Sequence, residues 1–166
     1  MDALSLLLTR SSHPVLNEPA PQGVELDNIL NAALRAPDHA GLAPWAFFVV
    51  TGEGLTKLGN IFEDAAVKAD MSEKDINRAP QLPLRAPMVI VACCKYREHP
   101  KVPRNEQIAS TACAVHSMQL AALAQGYSGM WRTGSYAVNA DVKSSFGLSG
   151  DDEIVGFLYL GTPENP

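Results

Sequence analysis

Apolar residues return with helical spacing in four long stretches of the chain. Ala3, Leu4, Leu7 and Leu8 mark a first helix over residues 2–10, ended by polar residues and Pro14. Leu26, Ile29, Leu30, Ala33 and Leu34 fall at i, i+3, i+4, i+7 and i+8, predicting a helix over Val24–Ala36 that Pro37 closes. Leu58, Ile61, Phe62, Ala65 and Ala66 line one side of a third over Leu55–Ala69. The longest runs over Glu106–Gln125. Its Ile108, Ala112, Val115, Met118, Gln119 and Ala122 share a face, and Cys113, Ala114, Leu120 and Leu123 flank it, so a largely buried central helix is expected, ended by Gly126. Shorter helices are predicted near 73–79, where Ser72 and Asp75 form a capping pair, and near 139–146, stopped by Gly147. Trp45–Thr51 is aromatic and β-branched, and Met88–Cys94 is continuously apolar, so both read as strands. Gly129–Thr133 reads as a short extended piece, and Glu153–Leu160 as a buried strand cut off by Gly161 and Pro163. The segment up to Gly23 and the stretch holding Pro80, Pro83 and Pro87 are expected to be irregular. No repeat or linker divides the pattern. It predicts one domain over residues 1–166, α+β or α/β.

Composition narrows this further. The 166 residues are 46% hydrophobic and 19% charged, and a chain of this size buries roughly 70% of its unfolded surface, enough for a core without disulfide or metal. No apolar run approaches the roughly 18 residues of a membrane span, and Met1-Asp2-Ala3-Leu4 lacks a basic n-region, so no signal peptide is expected. Cys93, Cys94 and Cys113 are odd in number and lack C-x-x-C spacing. They suit a reducing compartment, and the cytoplasm is the expected location. Thirteen Lys and Arg face eighteen Asp and Glu, a net charge of -5, which disfavours nucleic acid as the main partner. No membrane partner is expected either.

Most familiar chemical motifs are missing. Gly52-Glu53-Gly54 follows a strand and opens a helix, but Lys57 stands where a dinucleotide fingerprint needs its third glycine. There is no P-loop, no nucleophile elbow around Ser128, and no metal spacing among His13, His39, His99 and His116. Cys113 and His116 could form a couple at i, i+3, and the alternative is an inert small residue in a buried helix. Two constellations stay open. Arg10, Ser11 and Ser12 with Arg35, Asp38 and His39 form either an anion site or a pair of helix-end cations favoured by the dipole. The run Gly126–Gly134 (G-Y-S-G-M-W-R-T-G) either lets backbone approach a flat ligand or forms a packed turn anchored by Trp131.

Taken in order, these pieces resemble a known family. They are M-D-A-L at the start, Arg10–Ser12, R-A-P-D-H at 35–39 with P-W at 44–45, and R-A-P at 85–87. K-V-P-R at 101–104, A-Q-G at 124–126, G-M-W-R-T-G at 129–134 and I-V-G-F-L-Y-L-G-T-P at 154–163 follow. Their order and spacing resemble the FMN-dependent nitroreductase family, and within it the small YdjA-like branch of NAD(P)H nitroreductases.

The resemblance implies an α+β fold, a mixed and mainly antiparallel sheet wrapped by helices in an intertwined homodimer with FMN at the interface. Arg10, Ser11 and Ser12 would hold the phosphate and ribityl end, and Trp131, Arg132 and Thr133 would complete the same subunit's contacts. Arg35 and His39 would reach the flavin bound mainly by the other subunit, His39 positioning it or supplying a proton. Ala121, Ala122, Leu123, Ala124, Gln125 and Gly126 would touch NADH or NADPH. No side chain is expected to be catalytic, because the flavin N5 carries the hydride. The implied activity is ping-pong reduction of a small acceptor, a nitroaromatic or a quinone, with NAD(P)H as donor. Other FMN-dependent redox chemistry and a non-catalytic flavin binder are the alternatives, with a phosphate or nucleic-acid binder acting through Lys95–Arg104 as a third. The chain is short and lacks the helical insertion that often covers the site, so an open pocket is expected. It departs from the family's Arg-Arg-Ser and later arginine: Ser11 and Val15 stand at those places. The loss is expected to weaken FMN retention by about 1–3 kcal/mol for each charged hydrogen bond removed. Arg132, Arg35 and the basic segment 95–104 are the candidates to compensate.

Overall fold

A computed structural model of the protein describes residues 2–164. Three of its five strands form the centre of an antiparallel sheet: β2 (Trp45–Thr51), β3 (Met88–Cys94) and β5 (Glu153–Pro163). β3 pairs with β2 on one side and β5 on the other, with Val91 opposite Phe48 and Phe157. The other edge of β5 carries β4 (Ser128–Arg132), with Gly129 opposite Leu160. Beyond it, the two-residue β1 (Leu16–Asn17) pairs with Thr162 and Pro163. Every residue of β3 is buried, as its unbroken apolar run requires of a strand covered on both faces.

Alternation along the strands divides the core in two. Val89, Val91, Cys93, Phe157 and Tyr159 face α3 (Glu53–Lys68) through Leu55, Leu58 and Phe62. The intervening Met88, Ile90, Ala92, Leu158 and Leu160 face α2 (Val24–Ala33) and the long α5 (Arg104–Ala124). Phe62 stacks on Tyr136 at 4.4 Å and meets Phe157 edge-on at 5.2 Å. The short helices are α1 (Ala3–Thr9), α4 (Glu73–Arg78), α6 (Ser135–Val138) and α7 (Ala140–Ser145). Among the described residues no helix is long and apolar enough to cross a membrane.

The sequence expectations hold with corrections. α2 stops at Ala33 rather than Ala36, and the segment around Pro80 and Pro83 forms two 3-10 turns, Ala79–Gln81 and Pro83–Arg85. Proline is tolerated there because the first turn of a helix needs no N–H donor. β5 does not end at Leu160 but passes through Gly161. A Cβ on Gly161 would lie 2.8 Å from the Asn17 carbonyl oxygen and from Pro87, so the glycine lets the strand continue between them. α5 is less buried than expected: Glu106, Ala109, Cys113 and His116 form an exposed face, so Cys113 is not in a buried helix face.

Candidate functional site

The segment after α1 lies alongside the edge strand β4. Ser12 bridges Gly129, the His13 backbone N–H donates to the Gly129 carbonyl at 3.3 Å, and His13 Nδ1 hydrogen-bonds Ser128 Oγ at 2.6 Å. Gly129 has no spare room: a Cβ there would lie 3.0 Å from the Tyr159 carbonyl and the Leu160 side chain. This docking fixes Arg10, whose Nη1 lies 3.4 Å from Ser12 Oγ. Across from it, Trp131 lies over β5 and donates its indole N–H to the Val155 carbonyl at 3.2 Å. Gly156 makes that possible, since any Cβ would overlap the indole.

Arg10, Ser12, Trp131 and Thr133, distant in sequence, thus surround one open groove of about 360 Å³. Its remaining wall is His116 and Gln119, one turn apart on α5. Gln119 is 8% exposed, and its carboxamide makes none of the described hydrogen bonds. No carboxylate lines the groove. The sequence reading missed both helix residues. Two polar side chains at i, i+3 on a mostly apolar helix were the available signal.

The other expected site residues lie elsewhere. Ser11 is exposed and is not part of the groove lining. Arg132 sends its side chain to the opposite sheet face, where its guanidinium lies 5.3 Å from the Tyr159 ring centroid and donates to the Pro14 carbonyl at 3.0 Å. Arg132 is therefore no compensating cation for the groove. Arg104 pairs with Glu153 at 2.5 Å and donates to the Asp151 carbonyl, so it is already committed. Arg35 is exposed just past α2. His39 pairs with Glu106 at 2.8 Å beside a separate cavity of about 240 Å³ near the start of α5. Its loop is held from both sides. Asp38 accepts from the Leu42 and Ala43 backbone N–H groups, and the Ser110 hydroxyl donates to the Pro37 carbonyl. Ala40 and Ala43 have φ of 65° and 45°, strain that such anchors sustain.

Ala121–Gly126 is occupied in packing. Ala122 is in the core, and Gln125 donates to the Glu25 and Ala121 carbonyls while accepting from Asn28. Gly126, at φ 89°, closes the helix. None of the six lines the groove. The buried Cys93 thiol is pushed up to about 12 by desolvation and Cys94 is also raised, so neither is a nucleophile.

A family model described as the nitroreductase family matches residues 9–162. The chain belongs to the nitroreductase family. This nitroreductase is 49% identical over 164 residues to the Escherichia coli K12 protein named "Putative NAD(P)H nitroreductase YdjA", covering 99% of this chain and 90% of that one. It is 40% identical to a Haemophilus influenzae protein of the same general name, covering 98% and 89%. Among solved structures, a nitroreductase-like protein from Bacillus cereus matches with a TM-score of 0.83 at 24% identity, over 99% of this chain and 87% of that one. The nitroreductase groove therefore sits on an α+β scaffold shared with that protein.

Proposed function

We propose that this nitroreductase is an FMN-dependent oxidoreductase that draws electrons from NADH or NADPH and passes them to a small acceptor such as a nitroaromatic or a quinone. The observation that carries this reading is the convergence of Arg10, Ser12, Trp131 and Thr133 on one groove free of carboxylates. Several relatives bear NAD(P)H nitroreductase names, and one structural neighbour is titled an FMN-dependent nitroreductase.

The residues present fit FMN. Arg10 offers a guanidinium fork to a phosphate, and Ser12 a hydroxyl beside it. The free Gln119 carboxamide and the Thr133 hydroxyl supply neutral donors and acceptors, and Trp131 an apolar wall. Bound FMN would supply the two-electron chemistry that these side chains lack. His116 would add a polar group to the same wall, beside the cation that Arg10 supplies. The open side admits donor and acceptor in turn, the order of a ping-pong cycle.

A second copy completes the site in this reading. α1 has no buried residue, and Leu4, Leu7 and Leu8 are 64, 56 and 76% exposed. Seven residues do not hold a helix by propensity alone, so a partner subunit covers them. The His39 cavity and the groove follow one another along α5, the first lined from Glu106 to Cys113 and the second by His116 and Gln119, and Glu106, His39's partner, lies about 20 Å of helix from Gln119 at 1.5 Å per residue. In this reading a second copy packed on this face would bring its own Arg35 and His39 to the groove.

The test is retention. Protein incubated with excess FMN and desalted should keep close to one FMN per chain and elute as a dimer by light scattering. A colourless protein would contradict the flavin assignment, and a monomer that holds FMN fully would contradict the shared site.

A further inference from the structure

His39 meets Glu106 across 67 residues of sequence, with Nδ1 2.8 Å from Oε2. An ionised carboxylate only accepts hydrogen bonds, so the proton between them lies on Nδ1. The neutral ring is thereby the Nδ1–H tautomer. Nε2 makes none of the described hydrogen bonds, so it is the nitrogen available to a ligand. Asp38, next to His39 in sequence, does not compete for the ring: its oxygens accept from the Leu42 and Ala43 backbone N–H groups.

The carboxylate stands on a rigid base. Glu106 belongs to the first turn of α5, where the helix dipole favours a negative charge. The next residue, Gln107, is buried; it accepts from the Arg97 backbone N–H at 2.9 Å and donates to the Arg97 and Val102 carbonyls. Arg104, two residues before Glu106, donates to Glu153 and to the Asp151 carbonyl. The backbone around His39 is set independently. The Ser110 hydroxyl donates to the Pro37 carbonyl, and the Gly41 backbone N–H donates to the Asp38 carbonyl at 3.2 Å. Glu106 is therefore not needed to shape the loop. With its two side chains 55 and 47% exposed, the pair adds little to stability either. What it does determine is the plane and the tautomer of the ring.

We infer that Glu106 is a positioning residue: it holds His39 in one orientation and one tautomer, so that Nε2 meets the ligand bound in the groove of a second copy. This rests on the proposed FMN site shared between two copies. With Nδ1 occupied by Glu106, Nε2 of the neutral ring is a fixed acceptor for an N–H or O–H group of that ligand. Without Glu106 the two tautomers mix and the ring turns freely, so the acceptor is in place for only part of the time. A contact group held by its own hydrogen-bonded support binds better than one left to find its orientation on binding.

Two measurements on the full chain test the inference. Nitrogen NMR of the histidine rings, assigned with His39→Ala, reads the tautomer without flavin. Wild type should show His39 as Nδ1–H, Glu106→Ala should mix the tautomers, and Glu106→Gln, whose amide oxygen still accepts, should restore Nδ1–H. Flavin fluorescence titration then reads the consequence. Glu106→Ala should weaken FMN binding by about tenfold, the worth of one hydrogen bond, and Glu106→Gln should stay within about threefold of wild type. In a His39→Ala background, Glu106→Ala should have no further effect, because the carboxylate acts only through the ring. Three results would overturn the inference while leaving the flavin reading intact: a tautomer indifferent to loss of Glu106, wild-type FMN affinity in Glu106→Ala, or additive losses in the double variant. A wild type that keeps no FMN would overturn both.

Discussion

Arg10 holds the groove's permanent positive charge, and Val15, 52% exposed, adds nothing to it. Arg10→Ala should therefore lower FMN affinity by about 1.5–3 kcal/mol, the worth of a hydrogen bond to a charged group, and flavin fluorescence titration reads it directly. Unchanged affinity would remove Arg10 from the site. Tyr159 makes a different prediction. Burial pushes its phenol up from 10.0 to about 12, outweighing the opposing pull of Arg132 and Arg85, and burial pushes Cys93 from 9.0 to about 12. Both groups bind their protons more tightly when folded, so their stabilising effect is complete below pH 9 and is lost as pH rises towards 12. Tyr159→Phe should flatten the upper part of that decline, by about 3 kcal/mol at the extreme, in urea titrations at successive pH values. At this scale the sequence was partly legible. Likeness to the family picked out Arg10, Ser12, Trp131 and Thr133. It could not reveal that Arg132 points to the other sheet face, because that depends on β4's register with β5. Gln119 was read only as part of the helix's apolar face, and its carboxamide nevertheless borders the groove.

At the level of elements, hydrophobic periodicity identified every long helix and the three central strands, because each runs for several periods. β1 and α6 escaped it: two and four residues are too short to show a period. The end of β5 was misjudged because Gly161 and Pro163 read as terminators, whereas the glycine answers to the close approach of Asn17 and Pro87. The same strand carries a sharper test. Gly156→Ala would drive a methyl group into the Trp131 indole, so the tryptophan must leave the groove wall. The expected result is about 1–3 kcal/mol of lost stability together with at least about tenfold weaker FMN binding. A fully stable variant with intact FMN affinity would show that Trp131 does not form the wall. Gly161→Ala, in the same strand but away from the groove, should cost stability while leaving the per-molecule affinity of the folded fraction alone.

For the whole molecule, one chain supplies a complete core, and in the proposed reading only part of the site. The exposed leucines of α1 and the exposed face of α5 are the surfaces that a second copy would cover in that reading. Replacing Leu4, Leu7 and Leu8 together by Ser should yield monomers by light scattering and reduce FMN retention in parallel, while the far-ultraviolet signal of the main helices persists. A dimer that survives all three changes would place the interface elsewhere. Sequence pattern alone could not decide this, since helical spacing shows that a face is apolar and not what covers it. The central claim remains the electron transfer. It is tested most directly by mixing the FMN-loaded dimer with NADH or NADPH without oxygen and following the flavin's visible absorbance. The account predicts rapid bleaching by at least one nicotinamide and return of colour on adding a quinone or nitroaromatic. Bound flavin that keeps its colour with both donors would contradict it.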